Sequence, residues 1–334
     1  MQYRRLGRSG LDVSIVCLGT MMFGGATSAA DAQTIVAHAH EHGVNFIDTA
    51  DVYYKGESER VTGAAIRDKR NHWLLATKLG NPMDPSEKNN GGSSRHWILR
   101  ACDASLARLQ SGHIDIYYLH RDDPNTPLAE TVAAMGDLIQ AGKVRYFGIS
   151  NFRGWRIAEI VRTCDELGVA RPVVCQPYYN LLNRMPEVEI LPACDHHGIG
   201  VASYSPIARG VLTGKYATGV IPQDSRAARN DKRLMETEFR EESFAIATKL
   251  KAHAEKTGRS PTQFALGWLW ANRVISSVIA GPRTFDQWRD YIEAIGTAWD
   301  AQDEALVDSL VAPGHPSTPG YNDPNYPFFG RRMA

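Results

Sequence analysis

The chain has 334 residues, and its 37 Lys and Arg residues balance its 37 Asp and Glu residues, so the formal net charge at pH 7 is zero. No run of basic residues is long enough to bind a phosphate backbone or an acidic membrane surface, which argues against nucleic acid and membranes as partners. The N-terminal segment MQYRRLGRSGLDVS lacks the apolar core of a signal peptide, and no stretch approaches about eighteen apolar residues. We therefore expect a soluble, cytoplasmic protein.

The cysteines are odd in number and widely spaced, and most lie in apolar segments. This pattern favours reduced thiols in the core over disulfides or a metal site. His38, His40 and His42 alternate along a predicted helix, and alternate helical residues point about 200° apart, so the three do not share a face. We expect no bound metal. The cysteines are Cys17, Cys102, Cys164, Cys175 and Cys194.

The chain begins with a predicted hairpin whose turn lies at residues 8–10. Strands and helices then alternate, with apolar stripes at helical spacing and glycines where helices end. The predicted strands are 14–20, 45–50, 73–78, 114–120, 144–150, 172–180, 200–206 and 274–281. The predicted helices are 29–42, 58–68, 94–109, 128–141, 154–167, 187–197, 240–256, 261–272 and 284–295. A polar, glycine-rich insertion covers residues 207–239.

Eight pairs of strand and helix favour an α/β fold, a closed (β/α)8 barrel of parallel strands that forms a single domain over residues 1–334. The hairpin precedes this barrel, and the long loops are expected at its C-terminal face. Residues 311–334 either cross the mouth of a pocket or form a disordered end. The competing open sheet would carry G-x-G-x-x-G after an early strand. Gly19 and Gly24 follow the first strand, but bulky residues separate them and no helix opens there.

Polar side chains close predicted strands at Asp48, Lys78 and His120, and Tyr53 follows Asp48 by five residues. The carboxyl ends of parallel strands meet at one rim of a barrel, where active sites lie. A free Tyr has a pKa of about 10, which is too high for efficient proton donation near neutrality. Lys78 would lower that pKa, and Asp48 would keep the ammonium charged. With His120 orienting a carbonyl oxygen, the four residues predict a carbonyl reductase.

The chain resembles the aldo-keto reductases, a family of (β/α)8 barrels that bind NADPH across the C-terminal face of the barrel. The resemblance rests on LGRSGLDVSIVCLGT at 6–20, GISNF at 148–152, YSPIARGVLTGKY at 204–216 and GPRTFDQW at 281–288. It is strongest to the branch that includes potassium channel β subunits and bacterial aldo-keto reductases. The resemblance implies that Asp48, Tyr53, Lys78 and His120 form the catalytic tetrad, with Tyr53 as the general acid.

The same resemblance implies a binding site for NADPH or NADP⁺. Ser150, Asn151 and Gln176 match the residues that hold the nicotinamide carboxamide. Tyr204 matches the aromatic residue on which the nicotinamide ring stacks. The loop that folds over the pyrophosphate is matched by Ser205, Pro206, Ile207, Gly210, Leu212, Gly214 and Lys215. Arg226 is expected to clamp the same region.

Gly281, Arg283 and Gln287 match the site for the adenosine phosphate, at the start of the last barrel helix. An Arg near a helix N-terminus suits a 2′-phosphate, because the guanidinium fork and the free backbone N–H groups both favour a dianion. The family often has a Glu-Asn pair after the Gln, whereas this chain has Asp290 and Tyr291. The adenine contacts are therefore left open.

Phe23 and Tyr54 follow the first strand and the predicted acid, respectively. We expect both to line the substrate pocket, and core packing is the alternative for each.

Three classes of function compete. The first, which we expect, is an NADPH-dependent enzyme that reduces a small aldehyde or ketone, and the resemblance leaves open whether it forms a homo-oligomer. The second is a redox-sensing, cofactor-binding subunit of a larger assembly with low turnover. The third is a barrel hydrolase, which needs two carboxyl groups suitably separated across a sugar. Only Asp48 and the pair Asp122 and Asp123 offer such groups at the strand ends, so this class is disfavoured.

Overall fold

The computed structural model describes residues 1–216, 221–223 and 225–327. The chain divides into two compact units. The barrel unit comprises Met1–Pro177, Glu189–Tyr204 and Arg273–Glu293, and the second unit comprises Tyr178–Val188, Ser205–Asn272 and Ala294–Ala334. A single domain over the whole chain stays a prediction.

The barrel unit opens with the predicted hairpin, in which β1 (Tyr3–Arg5) pairs antiparallel with β2 (Asp12–Ser14). Eight parallel strands then form a closed barrel, in which each strand pairs with the next and the last closes against the first. They are β3 (Val16–Gly19), β4 (Phe46–Asp48), β5 (Leu74–Leu79), β6 (Ile114–Leu119), β7 (Val144–Ser150), β8 (Val174–Gln176), β9 (Gly200–Tyr204) and β10 (Ile275–Ala280). The prediction of a (β/α)8 barrel is confirmed.

Alternate residues of the strands point into the barrel and fill its interior. Many of them are apolar and fully buried, such as Cys17, Phe46 and Ile116. The hairpin contributes to the same buried cluster through Leu6 and Val13, so the hairpin and the strands share one core. Gly7, in the hairpin turn, has a φ of +58°, and an added Cβ would lie 2.5 Å from the backbone at Gly200. Only glycine therefore allows the hairpin to approach the start of β9 so closely.

Seven helices of the barrel unit match the prediction to within a few residues. They are α1 (Ala29–Glu41), α2 (Glu57–Ile66), α3 (Arg95–Leu109), α4 (Leu128–Gln140), α5 (Gly154–Leu167), α6 (Ile190–His197) and α10 (Phe285–Glu293). α6 begins later than predicted, because Met185–Glu187 forms a separate 3-10 turn. α10 is shorter at both ends than the predicted helix.

The second unit contains α7 (Lys232–Thr237), α8 (Glu241–Lys256), α9 (Pro261–Ala271) and α11 (Ala301–Leu310). α8 and α9 were predicted from the sequence, whereas α7 and α11 were not. The signal for α11 was present, because Asp300 accepts from the backbone of Asp303 while the Asp303 side chain accepts from the backbone of Asp300. This is a capping box built from two aspartates rather than the usual Ser or Thr with Glu.

Candidate active site

The rim of the barrel brings three members of the predicted tetrad into direct contact. Asp48 ends β4, and the Lys78 Nζ atom, in β5, binds the Asp48 carboxylate. The same Nζ atom donates to the carbonyl oxygen of Thr49 over 2.7 Å and to the Tyr53 hydroxyl over 3.4 Å. Gln176, at the end of β8, donates to the second oxygen of Asp48 over 3.0 Å. Both oxygens of Asp48 are therefore engaged.

The ion pair of Asp48 and Lys78 is almost completely removed from solvent. Burial alone would lower the pKa of Lys78, but the Asp48 carboxylate and then the Tyr53 phenol raise it above its ordinary value. The ammonium form of Lys78 therefore persists at neutral pH. Burial raises the pKa of Asp48, against the opposing effect of Lys78. The hydrogen bond from Gln176 to Asp48 and the one from Lys78 to the Thr49 carbonyl oxygen satisfy the two charged groups further, which offsets part of the cost of burying them.

His120 lies beside the predicted acid. Its ring meets the Tyr53 ring edge-on, with centroids 5.8 Å apart. Burial, and then the charge of Lys78, lowers the pKa of His120 well below its ordinary value. The imidazole is therefore neutral at neutral pH, and among the described residues its Nδ1 atom has no hydrogen-bond partner. A neutral imidazole can orient a carbonyl oxygen by donating a hydrogen bond, but it lacks the second ring proton of an imidazolium.

The residues predicted to hold an amide form one hydrogen-bonded cluster in the barrel unit. Asn151 donates through Nδ2 to the carbonyl oxygen of His120 over 2.9 Å and to the Ser150 hydroxyl over 3.0 Å. Ser150 donates to the carbonyl oxygen of Gln176, and Tyr204 donates through its hydroxyl to Asn151. This network fixes the orientation of the partly exposed Tyr204 ring. Such amide and hydroxyl groups suit a carboxamide ligand.

The loop over residues 205–215 lies in the second unit. Its backbone N–H groups at Gly210 and Leu212 both donate to the carbonyl oxygen of Ile207, over 2.9 and 3.3 Å, and Gly214 donates to Val211. These three N–H groups therefore donate within the loop. The prediction of phosphate binding here depends on Lys215, whose side chain lies against Gly210. The remaining predicted loop residues, Ser205 and Pro206, precede this turn.

The four other predicted cofactor residues differ in whether their side chains have local partners. Arg226, in the second unit, pairs with Asp231 over 3.0 Å. In the barrel unit, the Gln287 side chain accepts from the backbone N–H of Arg283 over 2.9 Å, just before α10 begins. The Arg283 guanidinium is partly exposed, and within the described part of the chain it forms no ion pair. Gly281, next to it, is exposed. An unpaired guanidinium at a helix start fits a phosphate ligand.

The two residues that depart from the family pattern differ in exposure. Tyr291 is buried, so its side chain belongs to the interior of the barrel unit. Asp290 is exposed, and partial burial followed by Glu293 raises its pKa. Of the two, Asp290 is the residue whose side chain reaches solvent.

The predicted pocket residues Phe23 and Tyr54 also differ. Phe23 is completely buried, which favours the core-packing alternative for it. Tyr54 is 45% exposed, with a left-handed φ of +47°. Its hydroxyl accepts from the backbone N–H of Ala26 over 3.3 Å, and its ring occupies the space that a side chain at Gly25 would need. Tyr54 therefore connects the loops that follow β3 and β4, and only its outer part can contact a ligand.

The predicted tail is held within the second unit as far as residue 327. Ser317 donates to the carbonyl oxygen of Leu182 over 2.8 Å, and Arg184 donates to that of His315. Asp323 pairs with Arg233 over 2.7 Å. Residues 328–334 of this predicted tail lie outside the described residues.

Sequence reasoning missed a buried carboxyl group beside the tetrad. Asp51 is fully buried, and neither of its carboxyl oxygens has a hydrogen-bond partner among the described residues. Burial, and then the nearby Glu59 carboxylate, raises its pKa from 3.8 to about 8. Glu59 is itself paired with Arg108 over 2.6 Å. The only sequence signal was an acidic residue between Ala50 and Val52 at a strand end.

The five cysteines are buried and unbridged. Over residues 1–216, 221–223 and 225–327, no group of three or more His, Cys, Asp or Glu side chains is placed to hold a metal ion. In the same part of the chain, no helix has the length and apolar character needed to cross a membrane.

Comparison with known proteins points in one direction. The sequence model of the Aldo/keto reductase family matches residues 15–312. A probable voltage-gated potassium channel subunit beta of Arabidopsis thaliana is 39% identical over 303 residues, which cover 88% of this chain and 91% of that protein. An uncharacterized oxidoreductase of Bacillus subtilis is 35% identical over 332 residues, covering 96% and 99%. The L-glyceraldehyde 3-phosphate reductase of Escherichia coli strain K12 is 33% identical over 329 residues, covering 94% and 93%.

Proposed function

The chain belongs to the aldo/keto reductase family, and we propose that it reduces an aldehyde or ketone to an alcohol, with NADPH as the reductant and Tyr53 as the general acid. One observation carries this proposal: the Lys78 ammonium, held by buried Asp48, lies 3.4 Å from the Tyr53 hydroxyl. A positive charge at that place favours the phenolate that remains after Tyr53 has donated its proton.

Each tetrad residue has a distinct part in this proposal. Tyr53 holds the proton that the carbonyl oxygen receives, and Lys78 stabilises the phenolate. Asp48 fixes Lys78 and keeps it charged. His120, neutral because burial lowers its pKa, donates a hydrogen bond that orients the carbonyl oxygen. General acid catalysis of this kind contributes about 10²- to 10⁴-fold to the rate.

The side chains of the barrel unit fit a nicotinamide dinucleotide. When bound, NADPH would supply the hydride that reduces the carbonyl carbon. Asn151 and Gln176 would hold the carboxamide by exchanging one of their present hydrogen bonds, with Ser150 beside them. The Tyr204 ring, oriented by its bond to Asn151, offers an aromatic surface for stacking. Arg283 would bind the 2′-phosphate.

The test of this proposal uses the full chain with NADPH and a panel of aldehydes and ketones. Loss of NADPH absorbance that depends on the carbonyl compound, with one alcohol formed per NADPH consumed, is the expected result. The panel includes a phosphorylated aldehyde, because one relative is named L-glyceraldehyde 3-phosphate reductase. No carbonyl-dependent oxidation with any member of the panel would count against the proposal.

A cofactor-binding, redox-sensing subunit of a larger assembly is the second candidate. It is favoured by the relative named probable voltage-gated potassium channel subunit beta, which is 39% identical to this chain. For such a subunit, NADPH would bind tightly while turnover stayed low with every carbonyl compound. A cytoplasmic location and assembly into homo-oligomers stay predictions.

A further inference from the structure

The loop over residues 205–215 has an unusual backbone. Ser205, Ala208 and Arg209 have φ values of +58°, +49° and +51°, and Gly210 follows at +95°. Side chains with a Cβ rarely adopt this left-handed region, because the Cβ crowds the neighbouring carbonyl oxygen. A run of such residues persists only where the surrounding structure holds it in place.

Arg209 is held by a buried ion pair within the second unit. Its Nη1 atom lies 2.7 Å from one oxygen of Glu238 and 2.8 Å from the other, and it donates to the Thr237 hydroxyl over 2.9 Å. The Glu238 side chain is fully buried and that of Arg209 is 9% exposed. The side chain of Arg209 is therefore fixed at a point in the loop where the backbone is strained.

Glu238 is in turn held by a phenol and a hydroxyl. Tyr178 donates to one Glu238 oxygen over 2.5 Å, and the Thr237 hydroxyl binds the other. Burial, and then the Glu238 carboxylate, raises the pKa of Tyr178 well above its ordinary value, so the phenol stays a donor. The Arg209 guanidinium also lies over the Tyr178 ring, 5.2 Å from its centroid. A buried ion pair completed in this way specifies one arrangement rather than adding much stability.

The ion pair of Arg209 and Glu238 also affects the position of Lys215, the other positively charged residue of the loop. The Lys215 side chain packs against Gly210, where an added Cβ would lie 2.7 Å from Nζ. Gly210 directly follows Arg209, so a change in the Arg209 backbone would move the surface on which Lys215 rests. The charge of Arg209 is itself offset by Glu238.

We infer that Glu238 is a positioning residue, which acts through Arg209 to hold the loop over residues 205–215 in the conformation that binds the cofactor. This inference rests on the proposed function, because it assigns the loop to a dinucleotide phosphate. Glu238 does not touch the cofactor in this account. Without the Glu238 carboxylate, the strained backbone of the loop relaxes and the loop adopts several conformations. The fraction of molecules that can bind the cofactor then falls.

The experiment measures NADPH binding to the full chain by quenching of Trp fluorescence, and NADPH dissociation by stopped-flow displacement. Glu238→Gln should weaken binding about tenfold or more, which corresponds to about 1.4 kcal/mol. Most of that change should appear as faster dissociation. In steady state, KM for NADPH should rise more than kcat falls.

The matched control is Asp303→Asn, which breaks a second buried ion pair of the same unit. Arg259 donates to both oxygens of Asp303 over 2.6 Å each, and Asp303 is 2% exposed. This variant should lower Tm without changing NADPH affinity. If Glu238→Gln does not fold, Tyr178→Phe keeps the ion pair but removes one hydrogen bond to Glu238, and should speed dissociation about threefold.

The outcomes separate this inference from the proposed function. A wild-type protein that binds no NADPH overturns both. A wild-type protein that binds NADPH, with Glu238→Gln folded and equal to it in affinity and dissociation rate, overturns the inference alone. An equal loss of affinity in Asp303→Asn, or an unchanged dissociation rate in Tyr178→Phe, also overturns it, because the role of Glu238 would then be no more than structural.

Discussion

Among the described residues, two of the buried ion pairs, Asp48 with Lys78 and Arg209 with Glu238, lie at predicted functional residues and are held in different ways. Asp48 and Lys78 lie on neighbouring strands, and the register places Asp48 opposite Ala76, two residues before Lys78. Arg209 lies in a left-handed loop and Glu238 at the end of α7. The strand ladder therefore fixes the first pair through the backbone, whereas side chains alone fix the second. We expect the first to control chemistry and the second to control retention of the cofactor.

Removing the phenol from the strand-end site should give the largest effect. Tyr53→Phe should lower kcat by about 10²- to 10⁴-fold, because the general acid is lost. NADPH affinity should stay nearly unchanged. The matched control is Tyr3→Phe, since Tyr3 is 51% exposed and donates only to the carbonyl oxygen of Gly43. Retention of more than about a tenth of wild-type kcat in Tyr53→Phe would remove Tyr53 from its assigned role.

Breaking the strand-end ion pair should have the next largest effect. Lys78→Met should slow turnover by about tenfold or more, because a change of one pKa unit corresponds to about 1.4 kcal/mol. The basic limb of the pH–rate profile should move to higher pH, since the phenolate loses its stabilising charge. Asp48→Asn should act in the same direction but more weakly, because the Lys78 amine remains in place although burial then lowers its pKa. An unchanged rate and limb in Lys78→Met would show that this pair is only structural.

Arg283 carries a positive charge that is not part of either ion pair, and replacing it tests recognition of the 2′-phosphate. A bidentate contact with a 2′-phosphate is worth about 1.5 to 3 kcal/mol, or roughly ten- to a hundredfold in affinity. NADPH should therefore bind at least tenfold more tightly than NADH, and Arg283→Ala should erase most of that difference by weakening NADPH alone. Fluorescence titration with both cofactors checks this. Equal losses for NADPH and NADH would show that Arg283 does not recognise the 2′-phosphate.

Replacing Asp51 should have the smallest effect on activity, but it should change how the stability of the protein depends on pH. Its pKa is raised from 3.8 to about 8 in the folded protein. Between those values the unfolded chain has released this proton while the folded protein keeps it, so the free energy of unfolding falls as pH rises from about 4 to about 8. Above about 8 the contribution is constant. Asp51→Asn cannot ionise, so it should be more stable than wild type by an amount that grows over this range to a few kcal/mol.

Urea unfolding of wild type and Asp51→Asn at several pH values measures this difference. The control is Asp68→Asn, at an exposed position of the same unit. A difference between wild type and Asp51→Asn that does not depend on pH would contradict the raised pKa of Asp51.

The same contrast explains how much could be predicted from sequence. Strand periodicity and glycine-terminated helices predicted the barrel, and residues at the ends of parallel strands must share one rim. Asp48 and Lys78, which close predicted strands, could therefore be predicted as neighbours from the sequence, whereas Gln176 was assigned only by the resemblance. The contact between Arg209 and Glu238 was not, because it depends on left-handed backbone angles in a loop. No periodic pattern encodes such angles when the residues are Ala and Arg rather than Gly.

The remaining differences between the expectations and the structure concern two buried side chains and one helix. Phe23 follows a strand end as a pocket residue would, but its side chain is fully buried, which favours core packing, and its place in the pocket stays a prediction. Asp51 was overlooked because a carboxyl group near Asp48 and Tyr53 is expected to be hydrated or paired, whereas it is buried and unpaired among the described residues. α11 was overlooked because its cap uses Asp at both positions of the capping box.

The central claim is that Tyr53, tuned by Lys78, is the group that donates the proton, and the pH dependence of a single turnover tests it most directly. Enzyme premixed with NADPH is mixed with a carbonyl substrate over a range of pH. The account predicts a basic limb in wild type, the same limb in Asp51→Asn, a limb at higher pH in Lys78→Met, and no limb in the residual rate of Tyr53→Phe. A limb that persists unchanged in Tyr53→Phe, or that vanishes in Asp51→Asn, would contradict it.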